Sequence, residues 1–195
     1  KKGEELKAAR ILSNRTDDDF DAVDATVKEV IARVRAEGDD ALYYYSEKFG
    51  GPGKTETGPL RVTEEELEEA YRSVEPEVTA ALELAAENIR SFHEKQLQKT
   101  WSYTKGDNIM LGQLIVPIQN VGVYVPGGTA AYPSSVLMNV IPAKIAGCPR
   151  IVMCSPAGKD GKISKYILAA AKITGADEIY KTGGAQGIAA LAYRT

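Results

Sequence analysis

Two glycine-broken stretches hold the residue types that can do chemistry. The first is Val121-Gly122-Val123-Tyr124-Val125-Pro126-Gly127-Gly128-Thr129; the second is Lys181-Thr182-Gly183-Gly184-Ala185-Gln186. Each follows a short apolar, β-branched run and leads into an amphipathic one. A strand that breaks into glycines and re-enters as a helix leaves backbone N–H groups free at the helix start, where an anionic ligand can sit. Gly127, Gly128, Gly183 and Gly184 carry no side chain, so the backbone can approach a ligand closely there. Tyr124 lies within two residues of the first loop, where its ring can stack on a planar ligand and its hydroxyl can donate. Gln186 offers a donor and an acceptor at the entry to the last helix. From the residues alone, a plain turn, a half-buried strand tyrosine and a solvent-facing glutamine account for the same features. Neither loop is G-x-G-x-x-G or a Walker loop.

Other chemistry has little to stand on. There is one histidine, His93, on the charged flank of a helix beside Glu94 and Lys95. A catalytic zinc centre needs two or three nitrogen or sulfur ligands, and a nucleophile–histidine system needs a histidine with partners. Cys148 and Cys154 are not at metal spacing and read as buried thiols. Ser155 and Asp160, in the loop after a middle strand, allow a ribose contact but are explained by turn chemistry. Lys144 can bind phosphate or snorkel to solvent. The acidic run Glu64 to Glu69 reads as a solvated helix face favoured by the helix dipole.

The 195 residues suit one large domain, or a domain with an arm. A net charge of −3 argues against a dedicated nucleic-acid or anionic-membrane surface. No apolar run approaches the roughly 20 residues of a membrane span. No basic-then-apolar leader opens the sequence. Two cysteines make no disulfide framework, which points to a reducing, cytoplasmic location.

The elements that must position the two loops follow from periodicity. Residues 1–14 suggest a surface helix or arm, and Thr16 to Asp19 supply helix-starting side chains. Val23, Val27, Val30, Ile31 and Val34 form one helical stripe ended by Gly38 as an αL cap. Asp39 is then placed to cap a short helix, Asp40 to Phe49, that carries Tyr43, Tyr44 and Tyr45 with their hydroxyls in water. Leu60-Arg61-Val62 suggests a short strand, and Thr63 to Glu66 a capping box. Pro76 opens a long helix to about Gln98 with Val78, Leu82, Ala85, Ile89 and Phe92 on its apolar face. Ile109 to Ile118 suggests extended chain or a hairpin arm. Three strand–loop–helix units follow, with Pro142 predicting a kink or a broken turn in the first of their helices. The last helix is expected from Ile188 to Tyr193, and the abrupt stop at Thr195 suggests a piece of something longer. The expected fold is α/β, a Rossmann-like parallel sheet with flanking helices. Residues 1–108 form a mostly helical amino-terminal region packed on the core. Residues 109–195 form an α/β nucleotide-binding region that is incomplete at its carboxyl end.

The residues Val121 to Gly128, Tyr132-Pro133-Ser134-Ser135-Val136-Leu137-Met138-Asn139, Ile141 to Gly147 and Gly183 to Tyr193 resemble the histidinol dehydrogenase family. The likeness reaches back more loosely to Asp21, through Arg35 to Leu42, and covers the amino-terminal half of a family member. It implies NAD-linked oxidation of L-histidinol through histidinal to L-histidine, at the end of histidine biosynthesis. It also implies a substrate-holding zinc ion and a homodimer whose sites use both subunits. Tyr124 and Gln186 match two NAD-contacting positions of the family. The zinc ligands, the catalytic Glu and His pair and the third NAD contact are expected beyond residue 195, so neither catalytic nor metal-binding residues are expected in this chain. Gly187 stands where Ala is common and Arg194 where Gly is common. Two other readings stay open: a relative acting on sulfonated diols such as sulfopropanediol, and a module for dimerisation or ligand binding without catalysis.

Overall fold

The structure is a computed structural model that describes residues 20–127 and 130–193. Gly128, Thr129 and Arg194, and the expectations for residues 1–19, lie outside the described residues.

A three-stranded parallel sheet, β3 (Asn120–Tyr124), β4 (Arg150–Cys154) and β5 (Glu178–Tyr180), stands in chain order β3-β4-β5. The register pairs Tyr124 with Cys154 and Cys154 with Tyr180. Strand alternation then sorts the side chains. Val123, Ile151, Met153 and Ile179 face one side, against α4 (Glu64–Ser73), α5 (Pro76–Glu94), α6 (Pro133–Ile145) and α7 (Lys165–Thr174). Leu137, Ile141, Ile151, Met153 and Ile167 are fully buried there, each contributing about 2 kcal/mol of transfer free energy. Tyr180 faces the other side, with α1 (Phe20–Glu37), α2 (Asp39–Lys48) and α8 (Gly184–Tyr193). The family-type Rossmann-like arrangement expected from the sequence is present.

The route of α8 decides where a ligand can bind. Helices α6 and α7 connect successive strands on one face. Helix α8 leaves β5, takes the opposite face and returns beneath β3, where a Cβ on Gly122 would stand 3.2 Å from Leu191 Cδ1. The flanking helices change sides after β5, at the end of the sheet that carries the loops. In open α/β sheets ligands bind in the crevice outside the carboxyl ends of the strands.

Several local expectations are corrected. Gly38 has φ 59° and ψ −131°, outside the αL region, and itself occupies the N-cap of α2, so Asp39 is the first helical residue rather than the cap. Helix α6 is continuous over Pro133–Ile145 with Pro142 inside it, so the broken turn is not found. Helix α5 stops at Glu94, and Phe92 is exposed rather than on the buried face. Tyr45 is fully buried with its hydroxyl donating to Glu29, and the Tyr43 hydroxyl donates to the Gly58 carbonyl, so these two hydroxyls are spent on protein partners. Helix α8 begins at Gly184, four residues before the expected start. Other expectations hold. The Thr63 hydroxyl accepts from the Glu66 N–H, and Gly175 ends α7 in the αL conformation. Residues 60–62 line the open edge of β5, with Val62 N–H on the Ile179 carbonyl and Lys181 N–H on the Leu60 carbonyl.

An antiparallel hairpin, β1 (Trp101–Lys105) with β2 (Ile109–Gln113), precedes the sheet. All of its residues are exposed, among them Trp101, Tyr103, Ile109, Met110 and Leu111. Two strands alone are marginal in water.

The short helix α3 (Lys54–Thr57) is locked to the β4–α7 loop at Gly161. Gly161 has φ 75°, and a Cβ there would land on the Glu56 carbonyl group. Gly161→Ala is expected to cost about 3 kcal/mol through left-handed strain plus that backbone clash. A thermal melt checks this, and an unchanged Tm would show that the loop and α3 are not locked.

Candidate functional site

The three strands deliver their loops to one rim. Past the sheet, Val125 N–H donates to the Cys154 carbonyl at 2.9 Å and Ser155 N–H to the Tyr180 carbonyl at 3.1 Å, so ladder bonding carries to the loop bases. Pro156 stands between the two glycine loops. A Cβ on Gly127 would lie 3.1 Å from the Pro156 carbonyl oxygen and 3.3 Å from its Cγ, and a Cβ on Gly183 would lie 2.9 Å from the ring's Cβ and Cδ. Both loops rest on the same proline, so glycine is required at each for close approach. Gly184, with φ 62°, turns the second loop into α8.

The candidate residues fall as follows. Tyr124 ends β3 and is 37% exposed, open to a partner on the rim. Gly127 and Gly183 floor the rim, and Gly184 starts the helix. Gln186 sits in the first turn of α8 but is only 5% exposed, which excludes the solvent-facing alternative. Its Oε1 has no hydrogen-bond partner. A buried amide oxygen without a partner costs about 1–3 kcal/mol, and this one lies 2.7 Å from where a Gly184 Cβ would be.

The sequence reading undervalued two features. Ser155 is fully buried and its Oγ has no partner, so turn chemistry does not occupy it. Lys181 lies on the same side as Ile179 and meets Glu66 of α4 at 2.9 Å, the lysine side chain 8% exposed and the glutamate 21%. That ion pair ties α4 to the strand end just before the second glycine loop. Period-two alternation from Ile179 was the available signal for Lys181; nothing local identified Glu66 among its acidic neighbours. Glu66 also helps line a 440 Å³ cleft that opens from the rim, bounded by Gly127, Pro156, Asp160 and Ser164. Asp160 is held in a turn, its Oδ1 accepting from Lys162 N–H.

Residues away from the rim have their own partners. Lys144 neither snorkels free nor meets the rim. It occupies the last turn of α6 and pairs with Asp177 at 2.8 Å, and Asp177 in turn accepts from Ile151 N–H near the start of β4. His93 Nδ1 is 2.7 Å from Gln96 Oε1. Lys172 pairs with Glu68, which lowers the Glu68 pKa. Arg150 and the Tyr180 hydroxyl hold Glu178 below the usual carboxylate range. Both cysteines are free and buried. Burial pushes the Cys154 thiol up to about 12. Among the described residues no three His, Cys, Asp or Glu side chains come together as a metal site, and no helix is long and apolar enough to cross a membrane.

A family model for histidinol dehydrogenase matches residues 13–195. The chain belongs to the histidinol dehydrogenase family. Similar relatives include histidinol dehydrogenase of Heliobacterium mobile, 50% identical over 188 residues that cover 96% of this chain and 44% of that protein. Histidinol dehydrogenase of Listeria monocytogenes is 53% identical over 173 residues, 89% of this chain and 40% of that protein. The crystal structure of histidinol dehydrogenase from Elizabethkingia anophelis matches with a TM-score of 0.83 at 34% identity, covering 93% of this chain and 40% of that one. The chain thus spans somewhat less than half the length of these relatives.

The zinc ion that the histidinol dehydrogenase family implies finds no fitting ligand group among the described residues. The rim instead gathers an unpartnered Gln186 oxygen, glycines without side chains and a helix start.

The thiol of Cys154 gives a check on rim packing. Its folded pKa lies above the ordinary value of 9.0, so its contribution to stability is intact below pH 9 and is lost as pH climbs from 9 toward 12. At pH 8, alkylation of Cys154 by iodoacetamide is expected to be at least about tenfold slower in the folded chain than in urea. Equal rates by peptide mapping would mean that the strand end is open.

Proposed function

We propose that this chain is the amino-terminal part of an NAD-dependent, zinc-requiring histidinol dehydrogenase that converts L-histidinol to L-histidine through histidinal. The observation that carries the NAD assignment is the buried Gln186 carboxamide, its Oε1 unpartnered, at the start of α8 on the rim of strand-end loops. Family membership supports the reaction class.

In this reading Tyr124 lays its ring against the cofactor and Gln186 exchanges hydrogen bonds with it. Gly127, Gly183 and Gly184 give it a floor without side chains. The bound NAD supplies the hydride acceptor, and this chain's part is placement. The Lys181–Glu66 pair holds the second loop, while Pro156 fixes the spacing of the two floors. Zinc and the proton-transferring residues belong to parts of the whole enzyme outside this chain. The protein is cytoplasmic and homodimeric in this reading. The exposed apolar side chains of the hairpin support an assembled state, because they leave it unburied in a single chain.

Gln186→Ala in the full-length enzyme is expected to raise the Kd for NAD about tenfold, equivalent to about 1.4 kcal/mol, and Tyr124→Ala about fivefold. Isothermal titration checks both; unchanged affinity in the two variants would remove the cofactor from this rim. The 195-residue chain alone is expected to reduce no NAD when given L-histidinol. Turnover by the purified chain would contradict the division of labour proposed here.

A further inference from the structure

Beyond Gln186, the described residues contain two other buried side-chain atoms without partners, Thr57 Oγ1 and Ser155 Oγ. Thr57 ends the short helix α3, behind the β4–α7 loop. Ser155 is at the rim. It is the first residue past β4, the strand paired directly with β3. Its N–H continues the ladder to the Tyr180 carbonyl, which fixes its backbone. The side chain therefore has a set direction, and the hydroxyl stands 3.1 Å from where a Gly127 Cβ would be. Gly127 and the neighbouring Pro156 both line the 440 Å³ cleft. Gly127 adjoins the hydroxyl, and none of the described residues bonds to it.

An unpaired hydroxyl in a fully buried place destabilises the unliganded fold relative to a methyl group. Alanine at this position would fill nearly the same space and leave nothing unmet. A polar atom that is costly in the free protein is explained if its partner arrives with a ligand. Gln186 stands in the same condition on the second glycine loop, so the rim holds two unmet polar oxygens.

Building on the dinucleotide reading above, we propose that Ser155 is a further binding residue of this rim, its hydroxyl donating to a sugar or phosphate oxygen of the cofactor lying over Gly127 and Pro156. The ligand chemistry is an oxygen acceptor of the sugar–phosphate chain, not the nicotinamide ring. The hydroxyl is neutral, so it adds a hydrogen bond without a charge.

The test uses the full-length enzyme with Ser155→Ala, Ser155→Cys and Gln186→Ala. Isothermal titration measures NAD, ADP-ribose, adenosine and inorganic pyrophosphate, and thermal melts are taken without ligand. Ser155→Ala is expected to weaken NAD and ADP-ribose about five- to tenfold, while its ligand-free Tm is equal to or above that of the parent. Ser155→Cys, a weak donor of similar shape, is expected to fall between the two. Loss that follows into adenosine assigns the acceptor to the sugar; loss that follows into pyrophosphate assigns it to the phosphates. Unchanged NAD affinity in Ser155→Ala overturns the proposal, as does weaker binding accompanied by a lowered Tm, which marks a packing role. If Gln186→Ala alone weakens NAD, the rim remains the cofactor site and only Ser155 is excluded. If neither variant changes affinity, the dinucleotide reading itself fails.

Discussion

The ring of Pro156 is the point on which both glycine loops close. Gly127 approaches it from the end of β3 and Gly183 from the end of β5, each so near that a single added carbon would force a shift. That shared contact sets the distance between the two loops. It also requires the strand register that puts Tyr124, Cys154 and Tyr180 side by side, because a slip by one residue would reverse which side chains face each layer of helices. The apolar layer of Val123, Ile151, Met153 and Ile179 against α4 to α7 maintains that register through burial.

Function follows from what the packing leaves unfinished at the rim. Away from the rim, the buried Thr174 hydroxyl donates to the Ala170 and Ala171 carbonyls. At the loop ends, Ser155 and Gln186 are buried with an oxygen unmet, and Tyr124 is open to solvent. An arrangement that costs stability in the free chain but offers aligned donors and acceptors to a ligand is common at binding sites. The helix start at Gly184 adds free N–H groups at the same place. Cys154, next to this group in register, is buried, which pushes its thiol up to about 12.

The helical layers contribute through support rather than contact. The Lys181–Glu66 pair is partly shielded from water, so it holds α4 to the strand end more firmly than the exposed pairs hold theirs. Lys144 and Asp177 serve the opposite end of the sheet, where Asp177 also accepts from the Ile151 N–H. Each end of the sheet thus has an ion pair, and only the loop end adds glycine, proline and unpaired oxygens.

The sequence by itself determined the repeated passage from strand through glycine to helix, the Thr63 cap, the Gly175 stop and the position of the two glycine loops. Those signals are local: alternation, helical period and turn chemistry act within a few residues. The family resemblance added Tyr124 and Gln186. Only the tertiary structure decided that α8 crosses to the other face, that Gly127 and Gly183 meet on one proline, and that Ser155 and Gln186 are buried without partners. Each of these depends on register and packing between segments far apart in the chain. Identical local sequences are compatible with either face of a sheet until the burial of distant side chains selects one.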